Sequence, residues 1–166
     1  MPSVLNRPTA DDLAALLSDR AGVTFTAAQL SFSKPKATTQ GESLRNTKVR
    51  ATVLDTTPGY TGNVVLYYDR LDLSTFNVPW ALYLSFMAVV DAPVSTLLDK
   101  VRDTLGVVFT TDDLEETVVT DDGNGNLSLL LKAKATSLGW TGQFTLSLKS
   151  FPNIATAFSG DSMSGY

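Results

Sequence analysis

The chain contains no cysteine and no histidine. The first absence excludes disulfides, thiol nucleophiles and cysteine-based zinc sites. The second removes the side chain that titrates nearest neutral pH and ligates metals most often, and most hydrolase designs go with it. Only carboxylate, lysine and calcium chemistry stay open. Charge is also scarce: 18% of the 166 residues are charged, with a net charge of −4. A negative chain gains nothing from counterion release on a phosphate backbone, so no nucleic-acid partner is expected. Long apolar runs are missing too. The longest, Val78 to Val90, has 13 residues and contains Pro79, so it is too short to span a bilayer and no membrane role is expected. Residues 1–8 hold no apolar core of the kind a secretory leader needs.

What the chain does have is the same pattern twice. Gly59-Tyr60-Thr61-Gly62 and Gly139-Trp140-Thr141-Gly142 share a Gly-aromatic-Thr-Gly signature, each followed by an alternating apolar run. Upstream, Gly22-Val23-Thr24-Phe25-Thr26 is matched by Gly106-Val107-Val108-Phe109-Thr110, and Leu30 by Leu114. The upstream halves align at a spacing of 84 and the downstream halves at 80, which places a four-residue deletion in one connecting loop of the second copy. Two copies are too few for a solenoid. They imply two paired modules.

Each module reads as helix, short turn, then hairpin. Thr9 with Asp12 has the spacing of a capping box, and Leu13, Leu16, Leu17 and Ala21 form a helical stripe closed by Gly22. In the second copy Pro93 suits the first helical position, and Leu97, Leu98, Val101 and Leu105 form the stripe before Gly106. Helices of 11 to 13 residues are expected. Short strand-like pieces follow at Val23 to Phe25 and Val107 to Phe109. Capping signals come next, in Thr26 with Gln29 and Thr110 with Asp113. Period-two alternation predicts antiparallel hairpins from 48–54 with 63–71, and from 127–135 with 143–149. The polar segment 34–46 reads as a mobile surface loop, and 121–126 as a tight turn. The expected fold is therefore α+β, with two homologous helix-plus-hairpin modules sharing one core. The first module covers 1–75, an apolar strand-like connector 76–92, the second module 93–151 and a mobile tail 152–166.

Three clusters invite a chemical reading. Asp122, Asn124 and Asn126 alternate as the start of a calcium loop does, but Leu127 stands where the turn glycine belongs and no glutamate follows at the twelfth position. A hairpin turn explains the same residues. Asp69, Arg70 and Asp72, with Asp55 and Arg50 in range, could do acid–base work in a cleft. The second copy keeps none of these acids, which favours an ion-pair cluster at a module or subunit boundary. Tyr60 and Trp140 could stack on bases or sugars. Their equivalent placement, flanked by Gly59, Gly62, Gly139 and Gly142, favours a packing role. No catalytic residue, metal or cofactor is expected.

The run Asn46-Thr47-Lys48-Val49-Arg50-Ala51-Thr52-Val53, followed by Gly59-Tyr60-Thr61-Gly62 and then Tyr68-Asp69-Arg70-Leu71-Asp72, resembles a motif of virion structural proteins from large tailed bacteriophages. The resemblance covers residues 1–75, whereas the second copy keeps only Gly-Trp-Thr-Gly. It implies a non-enzymatic component of the virion, head-associated or decorating the capsid. Its partners would be other virion proteins and copies of itself. A tail, collar or baseplate component is the alternative within that class, and a carbohydrate- or protein-binding module is the alternative outside it. Charge adds one hint. Residues 1–83 carry eight basic against seven acidic side chains, and residues 84–166 five against ten, a polarity suited to head-to-tail contact.

Overall fold

The computed structural model describes residues 9–55, 57, 59–75 and 88–149. The arm 1–8, most of the connector 76–92 and the tail 152–166 lie outside the described residues. The fold is α+β, with helices and antiparallel sheets built as two units.

The first unit opens with α1 (Thr9–Ala21), which buries Leu13, Ala14 and Leu17. Gly22, at φ 67°, supplies the left-handed residue that ends it. The Ser18 hydroxyl then accepts the Phe25 N–H (2.8 Å) and donates to Ala14 O (2.7 Å), which folds the chain back under the helix. The segment Val23 to Phe25, expected to be strand-like, pairs with no strand among the described residues and serves instead to seat Phe25 in the core. The capping signal behaves as its spacing predicts. A 3-10 turn spans Ala27–Gln29, and the Thr26 N–H donates to Gln29 Oε1 (2.9 Å).

The sheet of this unit is centred on β3 (Thr47–Val53). One edge of β3 carries β4 (Asn63–Tyr68), and the other carries β1 (Leu30–Phe32) and β2 (Lys36–Ala37) in succession. Strand β2 falls inside the segment expected to be a mobile loop. That segment is anchored because the Glu42 carboxylate accepts bonds from Lys48 (2.6 and 2.7 Å) and from the Thr39 N–H and hydroxyl (each 3.1 Å). The hairpin also ends earlier than the alternation predicts. After Tyr68 the chain leaves the sheet, and β5 (Leu71–Asp72) pairs elsewhere.

The second unit follows the same order. Its helix is shorter than expected: a 3-10 turn, Val94–Thr96, precedes α2 (Leu98–Leu105). Pro93 lies before that turn in extended conformation (ψ 146°) because this stretch is tied to an edge, with the Val94 N–H donating to Thr117 O (2.8 Å). Gly106, at φ 68°, closes α2, and its N–H donates to Arg102 O (2.7 Å). Val107 to Phe109, like its counterpart, is not a strand; both of these residues are core side chains. The next turn is locked by the Thr110 N–H and hydroxyl on Asp113 Oδ2 (2.9 and 2.8 Å). A sheet of β6 (Val119–Asp121), β7 (Asn126–Lys132) and β9 (Gln143–Lys149) completes the unit, with β7 in the middle. Strand β7 stops before the predicted Ala135, since Ala133 turns to bridge Leu114.

The β3–β4 pairings recur in β7–β9 and the β2–β3 pairings in β6–β7 under the spacings read from sequence, while the β1–β3 ladder is reduced to the single bridge Leu114↔Ala133. Val49↔Leu66 becomes Leu129↔Leu146 on a shift of 80, and Lys36↔Lys48 becomes Thr120↔Ser128 on shifts of 84 and 80. The two spacings differ because the β2–β3 connection, residues 38–46, is four residues longer than its counterpart, 122–126. Buried side chains fall into two clusters rather than the single core expected. One gathers Leu13, Leu17, Phe25, Leu30, Val49 and Leu66, and the other Val94, Val101, Phe109, Leu129 and Trp140 among its members. Each sheet buries one face against its own helix, so each helix finds its apolar partner within its own unit.

Candidate interaction surface

The two Gly-aromatic-Thr-Gly turns stand at the same point of each unit. The Val53 N–H donates to Gly62 O (3.0 Å) and the Ala133 N–H to Gly142 O (3.0 Å), with φ of 102° and 72° at the two glycines. Each aromatic meets the phenylalanine that follows its helix. Tyr60 packs edge-on against Phe25 (5.4 Å between centroids), and Trp140 packs against Phe109 (4.8 Å). The expectation of similar packing fails on burial, however. Trp140 is 0% exposed and Tyr60 43%.

The difference is made by what covers the second turn. Strand β5 pairs in parallel with β8 (Trp140–Thr141), in the register Leu71↔Trp140 and Asp72↔Thr141. The Leu71 N–H donates to Gly139 O (2.9 Å), and the Arg70 guanidinium reaches Ser137 O (3.3 Å) while its Nε donates to Thr47 Oγ1 (3.3 Å). Leu73, just past β5, is buried in the core of the second unit, and Leu138 packs in return on the core of the first. Both glycines of this turn are required for close approach. A Cβ on Gly139 would stand 3.2 Å from Thr9 Cβ and collide with its hydroxyl, and one on Gly142 would collide with the Asp72 carboxylate. At Gly59 and Gly62 a Cβ would meet nothing within 4 Å among the described residues.

Among the described residues no strand covers the first turn, and apolar side chains are exposed on the strand that follows it. Val64 is 41% exposed and Val65 38%. Their counterparts, Phe144 and Thr145, are respectively half-buried against the second core and exposed but polar.

The charged cluster is structural. The Asp69 carboxylate accepts Arg45 Nη1 (2.7 Å) and the Asn46 N–H (2.8 Å), which hold it below the usual carboxylate range. Asp72 Oδ1 accepts the Ser74 N–H (2.9 Å). Arg50 and Asp55 form no ion pair with this group among the described residues. In the calcium-like loop both Asp122 oxygens point back into the turn, accepting the Asn124 N–H (2.8 Å) and Asn126 Nδ2 (2.8 Å). Those bonds lower its pKa and make it a turn former. A cleft of about 470 Å³ opens between the units, lined by Phe32, Lys34, Asp112, Asp113 and Leu138 among others. Asp113 is committed there, with Thr110 on one oxygen and the Ser137 hydroxyl on the other (2.7 Å).

Thr9, Leu71, Leu73, Ser137 and Leu138 complete the junction, and residue order gave none of them that role: Thr9 reads as a helix cap and Leu71 as a strand end. The usable signal was the apolar pair Leu71 and Leu73, which continues past a hairpin that has already ended.

These features define an α+β protein of two units joined through a turn. Residues 5–166 match the Family of unknown function (DUF7941), and the chain belongs to that family. No curated protein and no solved structure matches the chain. Among the described residues no helix is long and apolar enough to cross a membrane.

Proposed function

We propose that this protein is a non-enzymatic structural component of a tailed-bacteriophage particle, built from one duplicated helix-plus-hairpin module. The observation that carries this reading is the first turn. Tyr60 is exposed at the position where Trp140 is covered in the second unit, and Val64 and Val65 expose apolar side chains on the two faces of the adjoining strand β4, a placement suited to contact with a partner. The resemblance of residues 46–72 to virion structural proteins supports the same reading. A head-associated or capsid-decorating position comes first, and a tail, collar or baseplate position second. The carbohydrate-binding alternative is weakened because Trp140, the stronger stacking platform, is fully buried. Mass spectrometry of purified particles tests the proposal. Hundreds of copies per particle fit a shell or tube, a dozen or fewer fit a collar or baseplate, and none sinks it. Saturable sugar binding by the isolated protein would instead favour the glycan reading.

A further inference from the structure

The turn between β6 and β7 is exposed along its whole length, from Asp121 to Asn126. It contains Asn124-Gly125, and of the chain's seven asparagines Asn124 alone precedes glycine. The others precede arginine, threonine, valine, leucine or isoleucine, whose side chains shield the amide nitrogen that follows. Glycine has no Cβ to shield it and adopts backbone conformations closed to other residues, here φ 80°. We infer that Asn124 is a site of spontaneous covalent modification, at which the side-chain amide is lost and the residue converts in part to isoaspartate. The Gly125 nitrogen gives its proton to hydroxide and attacks Asn124 Cγ. The new C–N bond expels ammonia, which takes its last proton from water, and a cyclic succinimide remains. A water molecule then opens the ring. Opening at the side-chain carbonyl gives aspartate, and opening at the main-chain carbonyl gives isoaspartate. This inference goes beyond the structural-component reading and does not depend on it.

The structure narrows this chemistry to one residue. Asp122-Gly123, in the same turn, has the atoms for the same ring, but a carboxylate must take up a proton before it can lose oxygen. Asp122 Oδ1 accepts the N–H groups of Asn124 (2.8 Å) and Asn126 (3.2 Å), and Oδ2 accepts Asn126 Nδ2 (2.8 Å). Those bonds keep it ionised, below the usual carboxylate range. In the equivalent connection of the first unit, Asn46 is followed by Thr47 and both ends of its amide are engaged. Its Oδ1 accepts the Arg70 N–H (2.9 Å) and its Nδ2 donates to Arg70 O (3.1 Å). The product alters the turn in two ways. A neutral amide becomes a carboxylate beside Asp121 and Asp122, taking the net charge from −4 to −5, and like charges this close repel. Isoaspartate also inserts a methylene carbon into the main chain of a turn that is closed by the Asp122 N–H on Asn126 O (3.2 Å) and held in the register Asp121↔Leu127. The tip of the β6–β7 hairpin should loosen while β7 stays paired with β9.

The test ages the full-length protein in mildly alkaline buffer, beside the same protein unfolded in guanidinium chloride, and maps both by digestion and tandem mass spectrometry. In the folded protein residue 124 is expected to exchange amide for acid before any other asparagine. Its peptide should split into an aspartate and an isoaspartate form, the second labelled by isoaspartyl methyltransferase. Asn124→Gln keeps the amide and leaves Gly125 in place, but its longer side chain demands a larger ring, so modification at this position should be lost. Hydrogen exchange on the aged wild type should show reduced protection of the Asp122 N–H. Asn124→Asp, made directly, carries the charge without the extra carbon and should show a smaller reduction. The wild-type map decides the inference by itself if a variant fails to fold. Residue 124 unchanged in the folded protein when the unfolded chain has fully converted, another asparagine converting first, aspartate without isoaspartate, Asn124→Gln converting as fast as the wild type, or an aged turn as protected as the fresh one would each overturn the inference.

Discussion

Asp72 lies so close to Gly142 that a single methyl group at the glycine would run into its carboxylate. The same methyl group at Gly62 would meet nothing within 4 Å among the described residues. Both positions carry positive φ, which costs a non-glycine residue about 1–2 kcal/mol. Gly62→Ala should cost about that much. Gly142→Ala should cost a further 1–3 kcal/mol, roughly, because it overpacks the junction, and Asp72→Ala should recover part of the excess. Urea denaturation of the three proteins measures this, and equal losses at the two glycines would show that the junction is loose.

The aromatic pair should separate just as clearly. Trp140 is enclosed and Tyr60 is half open, so Trp140→Ala should remove about 3–5 kcal/mol and Tyr60→Ala much less. A Tyr60→Ala variant as unstable as Trp140→Ala would mean that the first turn is covered in solution.

Two clusters of buried side chains imply additive damage. Leu17→Ala should cost about 2–5 kcal/mol in the first unit, and Val101→Ala a smaller amount in the second. The two share no packing partner, so the double variant should equal the sum within about 0.5 kcal/mol. A large coupling energy would require one continuous core after all.

Acid should loosen one loop first. Lys48 and the Thr39 N–H bring the Glu42 carboxyl down to about 2 from an ordinary 4.5. A depressed acid stabilises the folded loop above its unfolded value, and that contribution is lost as pH falls through the folded value. The protection of the Thr39 amide against exchange, relative to an unstructured chain at the same pH, should therefore fall between pH 4.5 and about 2. Lys48→Gln should shift the onset to higher pH, and an onset unmoved by that change would assign it to another group.

Local chemistry was legible from residue order alone. Thr26 with Gln29 and Thr110 with Asp113 close their turns as the spacing requires, and Gly22 and Gly106 end their helices in the left-handed region. The two hairpins followed from alternation, because one face of each is buried, although Tyr68 and Lys132 end their strands earlier than the alternation predicts. Two things did not follow. Strand β2 is only two residues long, and Glu42, not apolar periodicity, holds its loop. The partnership of Leu71 with Trp140 joins residues 69 positions apart, and no periodicity reports such a contact. The four-residue signatures around Tyr60 and Trp140 are nearly the same, so their unlike burial belongs to tertiary structure alone.

The crossing of β5 to β8 also sets an order in time. Leu71 leaves the ribosome well before Trp140, and at about 5–20 residues per second the interval is roughly 3–14 s. For that interval the first unit has its own helix and sheet but no partner for its last strand. Its closing segment is exposed to other nascent chains on the same polysome. Any mutation that slows synthesis between those points lengthens the exposure without touching the finished protein. Yield of correctly joined protein should thus depend on translation speed as well as on stability.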